Sequence, residues 1–110
     1  MAIRSVDKEQ RQAYFELLNR QLGATEAQIE IGGGQLGSQR QTDWLTLMGL
    51  SYDPRSDTME ISVENIDHWV THPREIYVDD DIDGLRSIEI IDQDDNKQII
   101  RLRQPLKLPH

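Results

Sequence analysis

At 110 residues the chain is long enough for one ordinary domain and too short for two well-packed ones. It carries 12 Lys and Arg against 20 Asp and Glu, a formal net charge of −8 at pH 7, and no cysteine, which excludes disulfide frameworks, thiolate nucleophiles and Cys-ligated metal centres. Leu, Ile, Val and Phe make up 28 of the 110 residues, above the level at which chains stay disordered, and no apolar run is long enough to cross a bilayer as a helix.

The charge is unevenly spread. Residues 1–50 hold five basic and six acidic groups, residues 51–100 hold four and fourteen, and the last ten hold three basic groups and no acid. An acidic middle repels phosphate backbones and anionic lipid surfaces. Nucleic acid and membrane are therefore not the expected partners, and a protein or peptide of basic character is. The first eight residues show no apolar leader segment, which points to the cytoplasm.

Residues 7–22 read as the one long helix. Asp7 stands where a cap belongs, with Glu9 in the first turn and Gln10 three residues on. Tyr14, Leu18 and Leu22 recur at i, i+4 and i+8, flanked by Phe15 and Leu17, and Gly23 follows as a left-handed stop. Past Gly23 the period becomes two. Ala27, Ile29 and Ile31 alternate with Gln28 and Glu30 as a strand with one wet face. Residues 42–51 are apolar on both sides, and their Thr, Trp and Gly content favours a doubly buried strand over a short helix. The stretch 52–57 has turn chemistry, so 45–53 and 58–64 are expected to form a hairpin. Asn65 is expected to cap one or two helical turns carrying Ile66, Trp69 and Val70, ended by Pro73. Residues 75–78 read as a short strand, 79–84 as an acidic turn, and 87–91 with 97–102 as a second hairpin.

One helix followed by about five or six short strands is an α+β layout whose short connections favour antiparallel neighbours. A strongly bent sheet of the SH3-like or Sm-like small-barrel kind is the first expectation, and an open antiparallel sheet with the helix on one face is the alternative. Residues 1–103 are expected to form the single domain, with 104–110, which hold two prolines, as a loosely ordered tail.

Three strings, 49–54 (GLSYDP), 72–79 (HPREIYVD) and 85–92 (LRSIEIID), resemble a family of small bacterial proteins described only as a domain of unknown function. The likeness takes in Asp67-His68 and the 98–102 stretch, and runs from the first helix to about Pro109. It is weakest over 24–43. It implies a stand-alone bacterial domain and carries no reaction, cofactor or catalytic residue with it.

Among candidate sites, Asp79, Asp81 and Asp83 followed by Gly84 match positions 1, 3, 5 and 6 of an EF-hand loop, where carboxylates converge on Ca²⁺. Position 12 is Ile90 rather than Glu, so Glu89 is the candidate to complete a site of other geometry. The plainer alternative is an acidic β-turn that keeps a sheet edge soluble. His68 and His72 are one helical turn apart, zinc-ligand spacing if that segment is helical, with only Asp67, Glu75 and His110 as further ligands. Gly32, Gly34 and Gly37 spell G-x-G-x-x-G, but no βαβ unit surrounds them, and a flexible hairpin loop is the better reading. Ser51 lacks the second glycine and following helix of a nucleophile elbow. Arg74, Glu75 and Tyr77 form a charged and aromatic patch suited to a partner, or else an ordinary surface ion pair beside a half-buried ring. No catalytic set is complete. The leading expectation is a non-enzymatic binding or adaptor domain using residues 73–83. A Ca²⁺-responsive module at 79–84 stands second, and a small hydrolase using His68 or His72 third.

Overall fold

The computed structural model describes residues 3–33 and 40–107. Strand β1 (Ile3–Ser5) leads through a 3-10 turn (Lys8–Gln10) into helix α1 (Arg11–Asn19). There follow β2 (Glu26–Gly33), the two-residue β3 (Arg40–Gln41), β4 (Leu45–Asp53), β5 (Thr58–Val63), β6 (Ile66–Thr71), β7 (Pro73–Asp81), β8 (Gly84–Asp92) and β9 (Asn96–Leu106). Hydrogen-bonded order is β1-β7-β8-β9-β2-β4-β5-β6, all antiparallel, with β3 beside β2.

The α+β, antiparallel expectation stands, but the barrel does not, and the described residues form nine strands rather than the five or six expected. Among the described residues β1 pairs only with β7 and β6 only with β5, so the path has two free ends and never closes. The sheet folds instead at β2, which meets β4 through only Glu26↔Thr46 and Ala27↔Leu45. Beyond that seam β4–β6 turn back over β7–β9. Ile76, Val78, Ile88, Ile90 and Ile100 from one half and Leu50, Met59, Ile61, Val63 and Val70 from the other share one buried cluster with Phe15 and Leu18 of α1. Each such side chain contributes about 1.5–3 kcal/mol by leaving water. A polar pair crosses the same interior, where His68 Nε2 of β6 bonds Gln98 Oε1 of β9.

Four local expectations change. The helix is shorter than 7–22, because Asp7 makes no side-chain cap bond and 8–10 wind as a 3-10 turn; Gly23 does adopt a left-handed φ of 51°. Residues 66–71 are a strand, not helical turns. Asn65 uses its tolerance of positive φ (66°) to turn a tight hairpin, Val63 opposite Ile66, rather than to cap. The double-sided apolarity of 42–51 comes from a bulge. The register slips between Leu47 and Gly49, which throws Met48 out to 64% exposure and lets Leu47 and Leu50 both face the core at odd spacing. Finally, pairing does not stop at 103: Leu106 is buried and lies opposite Leu85.

That last contact sits on a glycine. Gly84 has φ of 120°, and a Cβ there would collide with the Leu106 carbonyl, 2.8 Å from its carbon, whereas a Cβ on Gly23 would meet nothing. Gly23→Ala is expected to cost about 1 kcal/mol from backbone strain alone, and Gly84→Ala about 2–4 kcal/mol because collision is added to strain. Urea unfolding of the two variants measures the difference.

Candidate functional site

The helix stripe that faces inward is Arg11, Phe15 and Leu18, at i, i+4 and i+7, with Leu22 buried just past the helix end, rather than one centred on Tyr14. A guanidinium therefore enters the molecule at the head of α1, with Arg11 only 4% exposed. Charge in that position needs partners, and the chain supplies backbone ones. The β7–β8 register shifts between Pro73 and Glu75, so Arg74 is the extra residue of a bulge. The carbonyls of Pro73 and Arg74 accept Arg11 Nη1 and Nη2 at 3.0 and 3.2 Å. The Tyr52 ring lies beneath the guanidinium, 5.3 Å from its carbon. Arg11 Nε is buried and has no hydrogen-bond partner among the described residues.

Asp57 gathers the rest. It ends the β4–β5 turn with φ of 51°. Its carbonyl accepts the N–H of His72 at 2.8 Å, and His72, also at positive φ (54°), is the single residue linking β6 to β7. One carboxylate oxygen accepts the Tyr52 hydroxyl at 2.5 Å. The other lies 3.3 Å from His72 Nδ1 and 3.8 Å from Lys8 Nζ, while Arg11 Nη1 stands 3.9 Å from the oxygen that accepts Tyr52. Burial by itself raises the Asp57 pKa. The hydrogen bonds from Tyr52 and His72 and the charges of Lys8 and His72 outweigh it, so the carboxyl titrates below its ordinary value. The Tyr52 hydroxyl is pushed up, by burial first and then by its bond to Asp57.

Around this cluster opens a cleft of about 570 Å³, walled by Val6 and Lys8 on one side and by 72–77 on the other. Arg74, Glu75 and Tyr77 all line it, together with His72, Asp57 and Arg11. Arg74 and Glu75 do not pair with each other. Arg74 Nη1 reaches Asp95 at 2.6 Å, while Glu75 accepts the Tyr77 hydroxyl at 2.8 Å, which raises the Tyr77 pKa.

The acidic stretch behaves otherwise. Asp79–Asp81 belong to β7, and the bend is only Ile82 and Asp83. Asp81 accepts the Asp83 N–H at 2.8 Å, and Arg86 bridges Asp81 and Asp83 at 3.3 Å each. The Asp83 N–H is the main cause of a lowered Asp81 pKa, with Arg86 helping. Glu89 is taken by Lys97 at 3.0 Å. Among the described residues no three His, Asp or Glu groups come together in a way that could hold a metal ion, so Asp79, Asp81, Asp83 and Glu89 are not gathered. The acid that goes inside is Asp80, bonded by Arg4 at 3.0 and 3.2 Å and by the Tyr14 hydroxyl at 3.3 Å. His68 and His72 are likewise apart, since four residues of extended chain span about 13 Å. His68 turns inward to Gln98 and His72 to Asp57. Ser51 is an exposed position in β4, and of the glycine loop only Gly32 and Gly33, in β2, fall within the described residues.

Sequence reasoning passed over Arg11, Tyr52, Asp57 and Asp80. For Arg11 a signal existed, its place in phase with Phe15 and Leu18. For Asp80 none did, because Arg4 and Tyr14 are more than sixty residues away, and of the groups around Asp57 only Tyr52 is near in sequence.

The model of the "Family of unknown function (DUF5335)" matches residues 2–110. An "Uncharacterized protein" of Aquifex aeolicus (strain VF5) is 37% identical over 110 residues, 99% of each chain. No solved structure matches. No helix among the described residues is long and apolar enough to cross a membrane.

Two expectations follow. A depressed pKa means that Asp57 contributes stability present above the unfolded carboxylate range near pH 4 and lost as pH falls through its lower folded value. Asp57→Asn should cost about 1–2 kcal/mol at pH 7 and should flatten the acid limb of the stability profile below about pH 4, measured by urea midpoints. Ca²⁺ would have to displace Arg86 from Asp81 and Asp83, so calorimetry up to about 1 mM Ca²⁺ should give no saturable heat. A saturable heat that Asp81→Asn abolishes would show these acids binding a cation.

Proposed function

The chain belongs to the family of unknown function DUF5335, and on that premise we propose that it is a non-enzymatic binding domain of the bacterial cytoplasm. In this reading it holds a polar segment of a partner protein in the cleft beside Arg11. One observation carries the reading: Arg74, Glu75 and Tyr77 line a single open cleft of about 570 Å³ whose floor is held by the Arg11 bonds to two carbonyls. Groups held in place before binding lose little entropy on contact. The rim offers Lys8 and Arg74 as cations, Glu75 as an anion and Tyr77 as a flat amphipathic ring, a mixture suited to a peptide segment with alternating polar groups.

Catalysis is the weaker reading. His72 and Asp57 make an acid–base pair, but Nδ1 is the imidazole nitrogen engaged, and among the described residues no hydroxyl is bonded to that ring. Tyr52 donates its hydroxyl hydrogen bond to Asp57, and Arg11 is committed to two carbonyls. These bonds hold backbone, which serves a docking surface better than a reacting one.

The test is selection of binders from a random peptide library, followed by ¹⁵N chemical-shift mapping of the best. Perturbations are expected at Lys8, Arg74, Glu75 and Tyr77, and Arg74→Glu should weaken binding about tenfold or more with an unchanged melting temperature. Saturable binders that perturb other surfaces and ignore Arg74→Glu would refute the cleft.

A further inference from the structure

The free end of the sheet at β6 has a composition of its own. Among the described residues β6 is bonded to β5 alone, and alternate peptide groups of an edge strand point their N–H and C=O outward. Natural edges are commonly guarded by charged side chains, lysine above all, by proline or by a bulge, and the one charge on this strand is the acid Asp67. Residues 66–71 contain neither lysine nor proline, and the β5–β6 register is unbroken.

Val70 is buried on the inner face of β6, and His68 turns inward to Gln98, so Asp67, Trp69 and Thr71 alternate to the outer face. Trp69 is 58% exposed. Directly across from it lies Glu60, and beyond Glu60 is Ser51. Asp67, two residues along the same face, accepts the Ser62 hydroxyl at 2.6 Å. Thus an open indole stands between two carboxylates on a platform otherwise built of Ser and Thr. Residues 58–71 hold three acids, Glu60, Glu64 and Asp67, and no Lys or Arg. Among the described residues no cation pairs with Glu60 or Asp67, in contrast to the outer face of β8 and β9, where Glu89 has Lys97.

We propose that β6 is a docking edge for an extended basic peptide, which adds as a further strand and lays a Lys or Arg side chain on Trp69 between Glu60 and Asp67. Strand addition satisfies the outward backbone groups. The indole face and the two carboxylates attract the same cation, by its charge over the ring and by direct ion pairing. Charge complementarity selects this occupant. A second copy of the chain would bring its own Glu60, Glu64 and Asp67 to the seam and add repulsion. The proposal is independent of the Arg11 cleft, because Glu60, Asp67 and Trp69 do not line it.

The probe is an acetylated and amidated heptapeptide, Val-Arg-Val-Lys-Val-Arg-Val, titrated into the full chain and followed by ¹⁵N shifts and by fluorescence. Saturable shifts are expected at the amides of 66–71. Trp69→Ala and Glu60→Gln should each weaken binding about tenfold, and both positions are solvent-facing, so melting temperature is expected to hold. The same peptide N-methylated at alternate residues should fail to bind, as should a version with citrulline and norleucine in place of Arg and Lys. Shifts centred on 72–77, equal affinity for the N-methylated peptide, indifference to Trp69→Ala, or no binding at all would each overturn the proposal. Sedimentation showing a dimer that Trp69→Ala dissolves would overturn it too, by assigning the edge to a second copy.

Discussion

A buried guanidinium organises the end of the molecule where the candidate cleft lies. Removing Arg11 from water costs several kcal/mol unless its donors are met. The terminal nitrogens are met by two carbonyls at the bulged start of β7, the Tyr52 ring and the more distant Asp57 carboxylate lie beside them, and Nε alone has no partner among the described residues. The helix head, the β4–β5 turn, the one-residue link at His72 and the start of β7 are therefore mutually dependent. Asp57 and His72 both accept left-handed backbone strain, which persists because this network holds them there.

The same logic recurs at the other end of α1's contact with β7. Asp80 is an inward acid, and Arg4 and Tyr14 enclose it, Arg4 also lying over the Tyr14 ring at 5.4 Å. Asp80 raises the Arg4 pKa chiefly through its hydrogen bond, and burial together with the Asp80 charge pushes the Tyr14 hydroxyl up. Short β1 and α1 are thus tied to β7 at Asp80 by Arg4 and Tyr14, and α1 is tied again at the Pro73 and Arg74 carbonyls by Arg11, which also faces Asp57 and Tyr52 of the β4–β5 hairpin. Cation and ring recur in each, so the acidic charge of the second half of the chain is partly drawn inward to hold the first half.

That arrangement divides the surface. Around 79–89 the acids are met by Arg86 and Lys97 and form an ordinary solvated sheet edge. Around β6 no cation meets them among the described residues, and an aromatic ring stands beside them. Acidity in the primary sequence peaks at 79–83, yet the uncompensated part lies elsewhere, because compensation depends on which cations the fold brings near.

Much of the architecture was legible from local pattern. Period two identified β2, β5 and the β8–β9 hairpin, since an inside and an outside face leave their mark residue by residue in Ala27, Ile29, Met59, Ile61, Val63, Ile88 and Ile90. The patch Arg74, Glu75 and Tyr77 was legible as a patch. The cleft around it was not, for its floor comes from residues sixty positions away. Asn65 misled because Asn serves equally as a helix cap and as a left-handed turn residue, and only the strand waiting on the far side decides which. The length, the charge, the single helix and the antiparallel alternation were thus determined by the sequence alone, because each depends on neighbours within a few residues. The open end at β6, the fold-back at Ala27, the bulges at Met48 and Arg74 and the burial of Arg11 and Asp80 were decided by tertiary structure. Each requires partners that no local spacing places side by side.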